Sequence, residues 1–144
     1  MGPFFRQLKN GVGGVSTKAL LIVTALIEAG TGAALLVVPS LTVELLLGEG
    51  LASPQALVVA RIGGVALISV GVACWLGRNG ERRAHSGLVA GMLIYNLAVP
   101  IILLHGRIAS GLEGLGLWPA SLLHTLLAVW CVVCIRSFYL EDSS

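Results

Sequence analysis

Four polar side chains interrupt otherwise apolar stretches of the sequence, and their types suit them best to chemistry. They are Glu28, Arg61, Asn96 and His124, one in each of four stretches. Ionisable groups in such surroundings are costly to bury, and their default interpretation is functional. A buried carboxylate stays protonated or needs a cation, and Arg61 can supply a permanent positive charge. The sequence therefore predicts a Glu28–Arg61 pair. Asn96 and His124 would complete its hydrogen bonds.

Neighbouring polar residues extend this group. Thr24, Glu28 and Thr31 recur at i, i+4 and i+7, so they share one face of a helix. Tyr95 adjoins Asn96, and one of the two is expected to point inward. Antiparallel helices with a rise of ~1.5 Å per residue place the four central residues at a similar depth in the outer half of a bilayer. The candidate site comprises Thr24, Glu28, Thr31, Arg61, Tyr95, Asn96 and His124.

Three interpretations of this group stay open. It is a structural clasp between helices, a site for the head group of an amphiphile such as a quinone or a lipid, or a path for protons or ions. A proton relay would be better supported by two carboxylates, and the group has one. Haem is a poor fit for His124, because His105, the second candidate ligand, would lie about two helical turns away in depth.

The cysteines offer a further candidate, since Cys131 and Cys134 form a C-x-x-C. An apolar environment keeps thiols protonated and inert. We therefore interpret these residues, with Cys74, as small core residues, and redox or metal chemistry is the alternative. Nucleotide-binding, nucleophile-elbow and metal-ligand motifs are absent from the sequence. No catalytic residue and no metal site is assigned, and an enzyme is the less favoured interpretation.

Four apolar stretches must position these residues. The chain has 144 residues, of which 56% are apolar and 11% charged, whereas a soluble domain carries roughly 25% charged residues. A membrane-spanning helix needs about 20 mostly apolar residues, and continuous runs of that length favour helices over barrel strands. The predicted spans are 18–38, 55–77, 86–104 and 116–135, separated by breaks at Pro39, at Ser53-Pro54, within 77–83 and within 105–114.

The expected fold class is all-α, an antiparallel bundle of four transmembrane helices in one integral membrane domain over residues 1–144. The first span is interpreted as a retained helix and not as a cleaved signal peptide. Leu41 to Leu47 is apolar apart from Glu44. It predicts either a short interfacial helix or an apolar loop over the mouth of the bundle. Glycines inside the spans predict close helix packing, within the bundle or in an oligomer. These include Gly63, Gly64, Gly71, Gly87 and Gly91.

Basic residues near the span ends predict an orientation, because cytoplasmic loops carry the excess of Lys and Arg. Seven lie on the side of the termini and the 78–85 turn, and Arg107 alone lies in a loop on the other side. The seven are Arg6, Lys9, Lys18, Arg78, Arg82, Arg83 and Arg136. We expect a multi-pass protein of the inner (plasma) membrane with both termini in the cytoplasm. Expected partners are membrane lipids and a homo-oligomer or larger membrane complex, but not nucleic acid, since no run of basic residues occurs.

Three short stretches carry a resemblance to a known family. They are Leu26–Gly32, Ala60–Gly64 and the Tyr95-Asn96 pair. In these the chain resembles small bacterial four-helix membrane proteins of the DoxX-like kind. The resemblance implies a four-helix bundle in a bacterial inner membrane. Some DoxX-like proteins are quinone-linked oxidoreductase subunits or partners of redox proteins, which lends weight to a quinone or partner role. No catalytic residue is carried over.

The favoured function is that of a non-enzymatic membrane protein. It would bind an amphiphilic small molecule at the intramembrane polar site, or act as an accessory subunit of a larger membrane complex. A quinone-linked redox enzyme component and a small oligomeric transporter are the alternatives. A quinone or a lipid is the expected bound molecule.

Overall fold

The computed structural model describes the backbone of residues 3–142 and the side chains of residues 17–139. All regular structure in this range is helical: α1 (Pro3–Val37), α2 (Pro39–Leu47), α3 (Pro54–Gly77), α4 (Arg82–Ser110) and α5 (Leu117–Asp142). Four described segments are long and apolar enough to cross a membrane: Thr17–Val37, Pro54–Gly77, Arg82–Ser110 and Leu117–Tyr139. The prediction of an all-α bundle with four membrane-spanning helices is confirmed.

The four long helices form two closely packed pairs, α1 with α3 and α4 with α5. Contacts between α1 and α5 join the pairs, whereas α3 and α4 touch each other much less, although they are consecutive in the chain. They contact each other near their connection, where His85 Nε2 lies 3.0 Å from the carbonyl oxygen of Gly77. As a result α3 is the span with the smallest buried share.

Glycine lets α1 and α3 approach each other closely. A Cβ atom added to Gly32 would lie 2.5 Å from the carbonyl oxygen of Gly64, and one added to Gly71 would lie 2.9 Å from that of Ala25. Real Cβ atoms do not come so near a backbone oxygen, so these positions must be glycine for the two helices to pack at this distance. In contrast, Gly87 and Gly91 of α4 face open space within the described chain. Packing inside the bundle is therefore not their role.

An apolar core fills the half of the bundle that lies nearer the α3–α4 connection. Its fully buried members come from four helices: Leu20, Leu21, Ala25, Cys74, Val89, Met92, Leu127, Cys131 and Cys134. The three cysteines are free thiols within this cluster. Among the described residues, no group of three or more His, Cys, Asp and Glu could hold a metal ion. The interpretation of the cysteines as core residues agrees with their burial.

The segment after the first span is a helix and also covers the end of the bundle. Pro39 opens α2, and Gly48 ends it with a φ of 94°, a left-handed conformation that glycine adopts without strain. The chain before α5 binds the end of α2, because Glu113 N donates to Leu47 O at 3.1 Å and Gly116 N donates to Leu45 O at 2.8 Å. Of the two alternatives predicted for residues 41–47, the short helix is present as α2, and the loop is wrong.

Helix ends follow local capping more closely than hydropathy. The Ser53 side chain accepts a hydrogen bond from Ala56 N at 3.1 Å, with Pro54 as the first helical residue. The loop predicted over 105–114 is wrong in its first part, because α4 continues to Ser110 and is capped by Gly111 with a φ of 69°. Hydropathy marks where the apolar run ends, and a helix continues into water until a cap stops it.

Candidate functional site

Three helices each present one buried stripe to the interior of the bundle. Spacings of three and four residues keep a stripe on one face of a helix. On α1 the stripe includes Thr17, Leu20, Leu21, Thr24 and Glu28; on α4 Val89, Met92, Asn96, Pro100 and Leu103; and on α5 Leu117, Ser121, His124, Leu127 and Cys131. Each stripe is apolar toward the core and polar near its middle. The polar residues of the three stripes therefore meet at one level of the bundle.

A buried carboxylate is the first part of this site. Glu28 is 1% exposed, and its Oε2 accepts a hydrogen bond from the Tyr95 hydroxyl at 3.0 Å. Its Oε1 is buried and has no hydrogen-bond partner among the described residues. If Glu28 is ionised, Oε1 has no donor to accept from. If Glu28 is neutral, either its proton or its carbonyl oxygen has no hydrogen-bond partner. Glu28 needs a further polar partner in either state.

A chain of two hydrogen bonds is the second part. Asn96 is fully buried, and its Nδ2 donates to the carbonyl oxygen of Met92 at 2.8 Å. Its Oδ1 lies 2.7 Å from His124 Nδ1. Because a backbone carbonyl can only accept, the amide end facing Met92 must be the NH2 group, and the end facing His124 must be the oxygen. His124 therefore carries its proton on Nδ1.

Tyr95 joins the two parts. Its ring packs edge-on against His124, with ring centroids 5.4 Å apart and an interplanar angle of 85°, while its hydroxyl binds Glu28. We call the set of Glu28, Tyr95, Asn96 and His124 the polar layer. It brings together α1, α4 and α5. Tyr95 and Asn96 both take part: Tyr95 contacts Glu28 on α1 and His124 on α5, and Asn96 bonds His124.

Two further hydroxyl groups next to the polar layer are also unsatisfied. Thr24 lies one turn from Glu28 on α1, and Ser121 lies one turn from His124 on α5. Both are buried, and neither side-chain oxygen has a hydrogen-bond partner within residues 17–139. An unsatisfied buried polar group costs about 1–3 kcal/mol, and native proteins contain few of them. Three such oxygens around one cluster mark a place suited to a polar ligand.

Arg61 and Thr31, two of the predicted site residues, lie outside the polar layer. Both side chains are exposed, and the predicted Glu28–Arg61 pair does not form. The reason is the α1–α3 contact, which places Gly64 and Gly71 against α1. Arg61 lies roughly a quarter of a turn away from that face at 3.6 residues per turn. The described residues include no cation paired with Glu28.

A separate cavity of about 320 Å³ lies at the α2 end of the bundle. Arg107 and Glu113 form an ion pair of 2.5 Å in its wall. The remaining lining residues are Leu112, Gly114, Leu115, Leu117 and Trp118. None of the polar layer lines it, so it is a feature of the bundle end and not part of the candidate site.

One contributor to the site could not have been found from residue types. The carbonyl oxygen of Met92 orients Asn96, and a backbone group leaves no mark in the sequence. Ser121, in contrast, could have been found from the sequence, because its position three residues before His124 places both on one helix face.

The fold and the site together define an all-helical bundle with four membrane-spanning helices and a buried polar layer shared by three of them. Comparison with known proteins adds no relative: no family model, no curated protein and no solved structure matches the chain. The geometry of the polar layer is therefore the basis on which a function can be inferred.

Proposed function

We propose that this chain is an integral membrane protein that binds an amphiphilic small molecule of the quinone or lipid class. The polar layer holds the polar end of that molecule, and its tail lies among the apolar helices. The observation that carries the proposal is Glu28, buried at 1% exposure with Oε1 unpartnered among the described residues. A ligand that hydrogen-bonds Oε1 would remove the cost of this burial.

The loose contact between α3 and α4 supports an amphiphile as the ligand. Tyr95 lies on α4 and reaches Glu28 on α1, and α4 is held only weakly by α3 along its length. Both helices expose large apolar residues such as Val65 and Ile94. A molecule dissolved in the bilayer could approach the polar layer between them without crossing water.

The unsatisfied atoms favour a binding site over a structural clasp. A buried polar network stabilises a fold when all of its groups are satisfied, and a half-satisfied network is worse than an apolar core. Here Thr24, Glu28 and Ser121 each keep an unpartnered oxygen in the described part of the chain. A clasp selected only for stability would not retain all three. Binding accounts for them.

Retention of a native amphiphile tests the proposal. We expect mass spectrometry of gently solubilised protein to show one quinone or lipid class enriched over the bulk extract. Glu28→Leu and Tyr95→Phe should reduce the retained amount about tenfold or more, since a hydrogen bond to a charged group contributes about 1.5–3 kcal/mol. Thr31→Val is the matched control, because Thr31 lies on the same helix but is exposed.

The opposite outcome is equally clear. If no class is enriched in the wild type, or if Thr31→Val loses as much as Glu28→Leu, the polar layer does not bind an amphiphile.

Arg61 favours a second candidate function, that of a subunit in a larger membrane complex. It is exposed on α3, seven residues after the helix begins at Pro54, or roughly 10 Å along the axis. A charge at this depth is costly unless it is paired or reaches the interface. A carboxylate on a partner helix at the same depth would pair with it.

The Arg61→Leu variant separates this candidate from an intramolecular role. We expect the free energy of unfolding of the isolated chain to change by no more than about 0.5 kcal/mol, as for other exposed substitutions. In the complex, native mass spectrometry should show loss of the partner from Arg61→Leu and its retention in the neighbouring control Ile62→Leu. A large loss of stability in the isolated chain would contradict the exposed position of Arg61.

We further propose that both termini and the α3–α4 connection lie on the cytoplasmic side of the plasma membrane, because the basic residues concentrate there. Single cysteines at Gly80 and Glu113, in a background with the native cysteines replaced by alanine, test this. A membrane-impermeant thiol reagent should label Glu113→Cys in intact cells and Gly80→Cys only after permeabilisation. The reverse pattern would invert the orientation.

A further inference from the structure

We infer that the polar layer selects amphiphiles whose polar end is a hydroxyl group, such as an alcohol, a phenol or a hydroquinone, over those that carry only carbonyl oxygens. The inference rests on the proposed binding function and adds to it the hydrogen-bonding character of the ligand. Its basis is the direction of each hydrogen bond within the layer.

His124 offers an acceptor. Its Nδ1–H is engaged by Asn96 Oδ1 at 2.7 Å, and the orientation of Asn96 is fixed by its bond to Met92 O at 2.8 Å. A charged imidazolium would be costly at 8% exposure, since no carboxylate among the described residues is bonded to it. The neutral ring with its proton on Nδ1 carries a lone pair on Nε2. A ligand group bonded to that nitrogen must donate.

The Tyr95 hydroxyl is not available as a donor. A tyrosine carries one O–H, and that hydrogen is engaged by Glu28 Oε2 at 3.0 Å. The donors of Tyr95 and of His124 Nδ1 are thus both satisfied inside the protein. A carbonyl-only ligand would find neither of them free. The hydroxyl groups of Thr24 and Ser121 have no partner among the described residues, but a ligand hydroxyl oxygen accepts from them as a carbonyl oxygen does, so they do not discriminate between the two ligand types.

Glu28 Oε1 can form a hydrogen bond with a hydroxyl in both of its protonation states. If the carboxyl is ionised, a ligand O–H donates to Oε1; if it is protonated at Oε1, the ligand hydroxyl oxygen accepts from it. A carbonyl oxygen can bond only the protonated form. When Glu28 is protonated at Oε1, a ligand hydroxyl accepts from it and donates its own hydrogen to His124 Nε2; when Glu28 is ionised, the hydroxyl donates to one of these two acceptors. A carbonyl can donate to neither.

The cost of a mismatch gives the expected selectivity. A carbonyl oxygen placed against Nε2 brings the lone pairs of the two atoms together, and Nε2 is left without a hydrogen-bond donor. Sites built to hydrogen-bond a ligand hydroxyl reject analogues that lack it strongly, because buried groups are left unpaired. We expect the hydroxyl form to bind at least about tenfold more tightly than the matched carbonyl form.

Two probe pairs with identical tails test this on the wild-type chain in lipid nanodiscs. The first pair is decylhydroquinone and decylbenzoquinone, each held in its redox state under anaerobic conditions. The second is 2-dodecanol and 2-dodecanone, and decylbenzene reports binding through the tail alone. Dissociation constants from equilibrium dialysis should favour the hydroxyl member of at least one pair by about tenfold or more.

The remaining outcomes separate the two claims. Equal affinities within both pairs, each above that of decylbenzene, would overturn the selectivity and leave the binding function standing. Tighter binding of the carbonyl members would also overturn it. If no probe exceeds decylbenzene, both claims fail for these chemistries. A His124→Phe variant should reduce the ratio toward one, and Thr31→Val should leave it unchanged.

Discussion

Replacing Gly64 by alanine should lower the free energy of unfolding by about 2 kcal/mol, within the ~1–3 kcal/mol range of overpacking. A Cβ atom at this position would lie 2.7 Å from the carbonyl oxygen of Gly32 and 3.0 Å from Leu36 N. Both atoms belong to the backbone of α1, so no rotamer change can relieve the contact. The two helices would have to move apart, and their packing along the rest of the interface would weaken.

Gly63 provides the matched control, since it is the preceding residue on the same helix. A Cβ atom there would meet nothing within 4 Å, and alanine is a better helix former than glycine by up to about 1 kcal/mol. We therefore expect Gly63→Ala to leave the stability unchanged or to raise it. Denaturation in mixed detergent micelles, followed by circular dichroism, measures both variants on the same scale.

Movement of α1 should also reach the polar layer. Gly32 lies one helical turn from Glu28, and the hydrogen bond to Tyr95 crosses from α1 to α4. We expect Gly64→Ala to lose bound amphiphile along with stability, while Gly63→Ala keeps both. Equal stability of the two alanine variants would show that α1 and α3 do not pack as closely as Gly32 and Gly64 indicate.

The membrane spans could be predicted because hydropathy acts over about 20 residues, a length that local details do not change. The inward face of each helix is a different problem. On α1, Thr24 and Glu28 stand out from apolar neighbours and define one face. On α3 the residues are apolar on every side except at Gln55, Arg61 and Ser69, so no periodic pattern indicates the buried face.

Arg61 shows why the polar residue of a span need not point inward. The buried face of α3 is set by Gly64 and Gly71, which allow the backbones of α1 and α3 to approach. Close packing of small residues drives association in lipid, where apolar side chains gain little from leaving it. Electrostatic reasoning alone favours pairing Arg61 with Glu28 and omits this term. The contact between α1 and α3 could not be predicted from the sequence pattern, because it depends on how the helices pack in three dimensions.

The hydrogen-bond chain through Asn96 should give the second large effect. We expect Asn96→Leu and His124→Phe each to lower the free energy of unfolding by about 2–3 kcal/mol, because each leaves its former partner buried and unpaired. Asn96→Leu leaves the Nδ1–H of His124 without a hydrogen-bond acceptor, and His124→Phe leaves Oδ1 of Asn96 without a donor. Both residues are at most 8% exposed, so water cannot replace the lost partner.

The double variant should cost less than the sum of the two single variants. Removing both polar groups leaves an apolar contact without an unpaired atom, which is often close to neutral. We expect a coupling energy of about 1–3 kcal/mol from the double-mutant cycle. A cycle between Thr31→Val and His124→Phe is the control and should be additive, since Thr31 is exposed and is not bonded to His124.

Repeating the cycle with a bound amphiphile connects stability to function. A ligand that binds only the folded protein raises the free energy of unfolding by RT ln(1 + [L]/Kd), about 2.7 kcal/mol when its concentration is a hundred times Kd. At that concentration, decylhydroquinone should raise the free energy of unfolding of the wild type by about 2.7 kcal/mol. It should stabilise His124→Phe much less, because this variant lacks Nε2. If the coupling energy is large but no amphiphile changes the stability of either protein, the Asn96–His124 pair is a structural clasp. A ligand-dependent difference between them identifies the pair as part of a binding site.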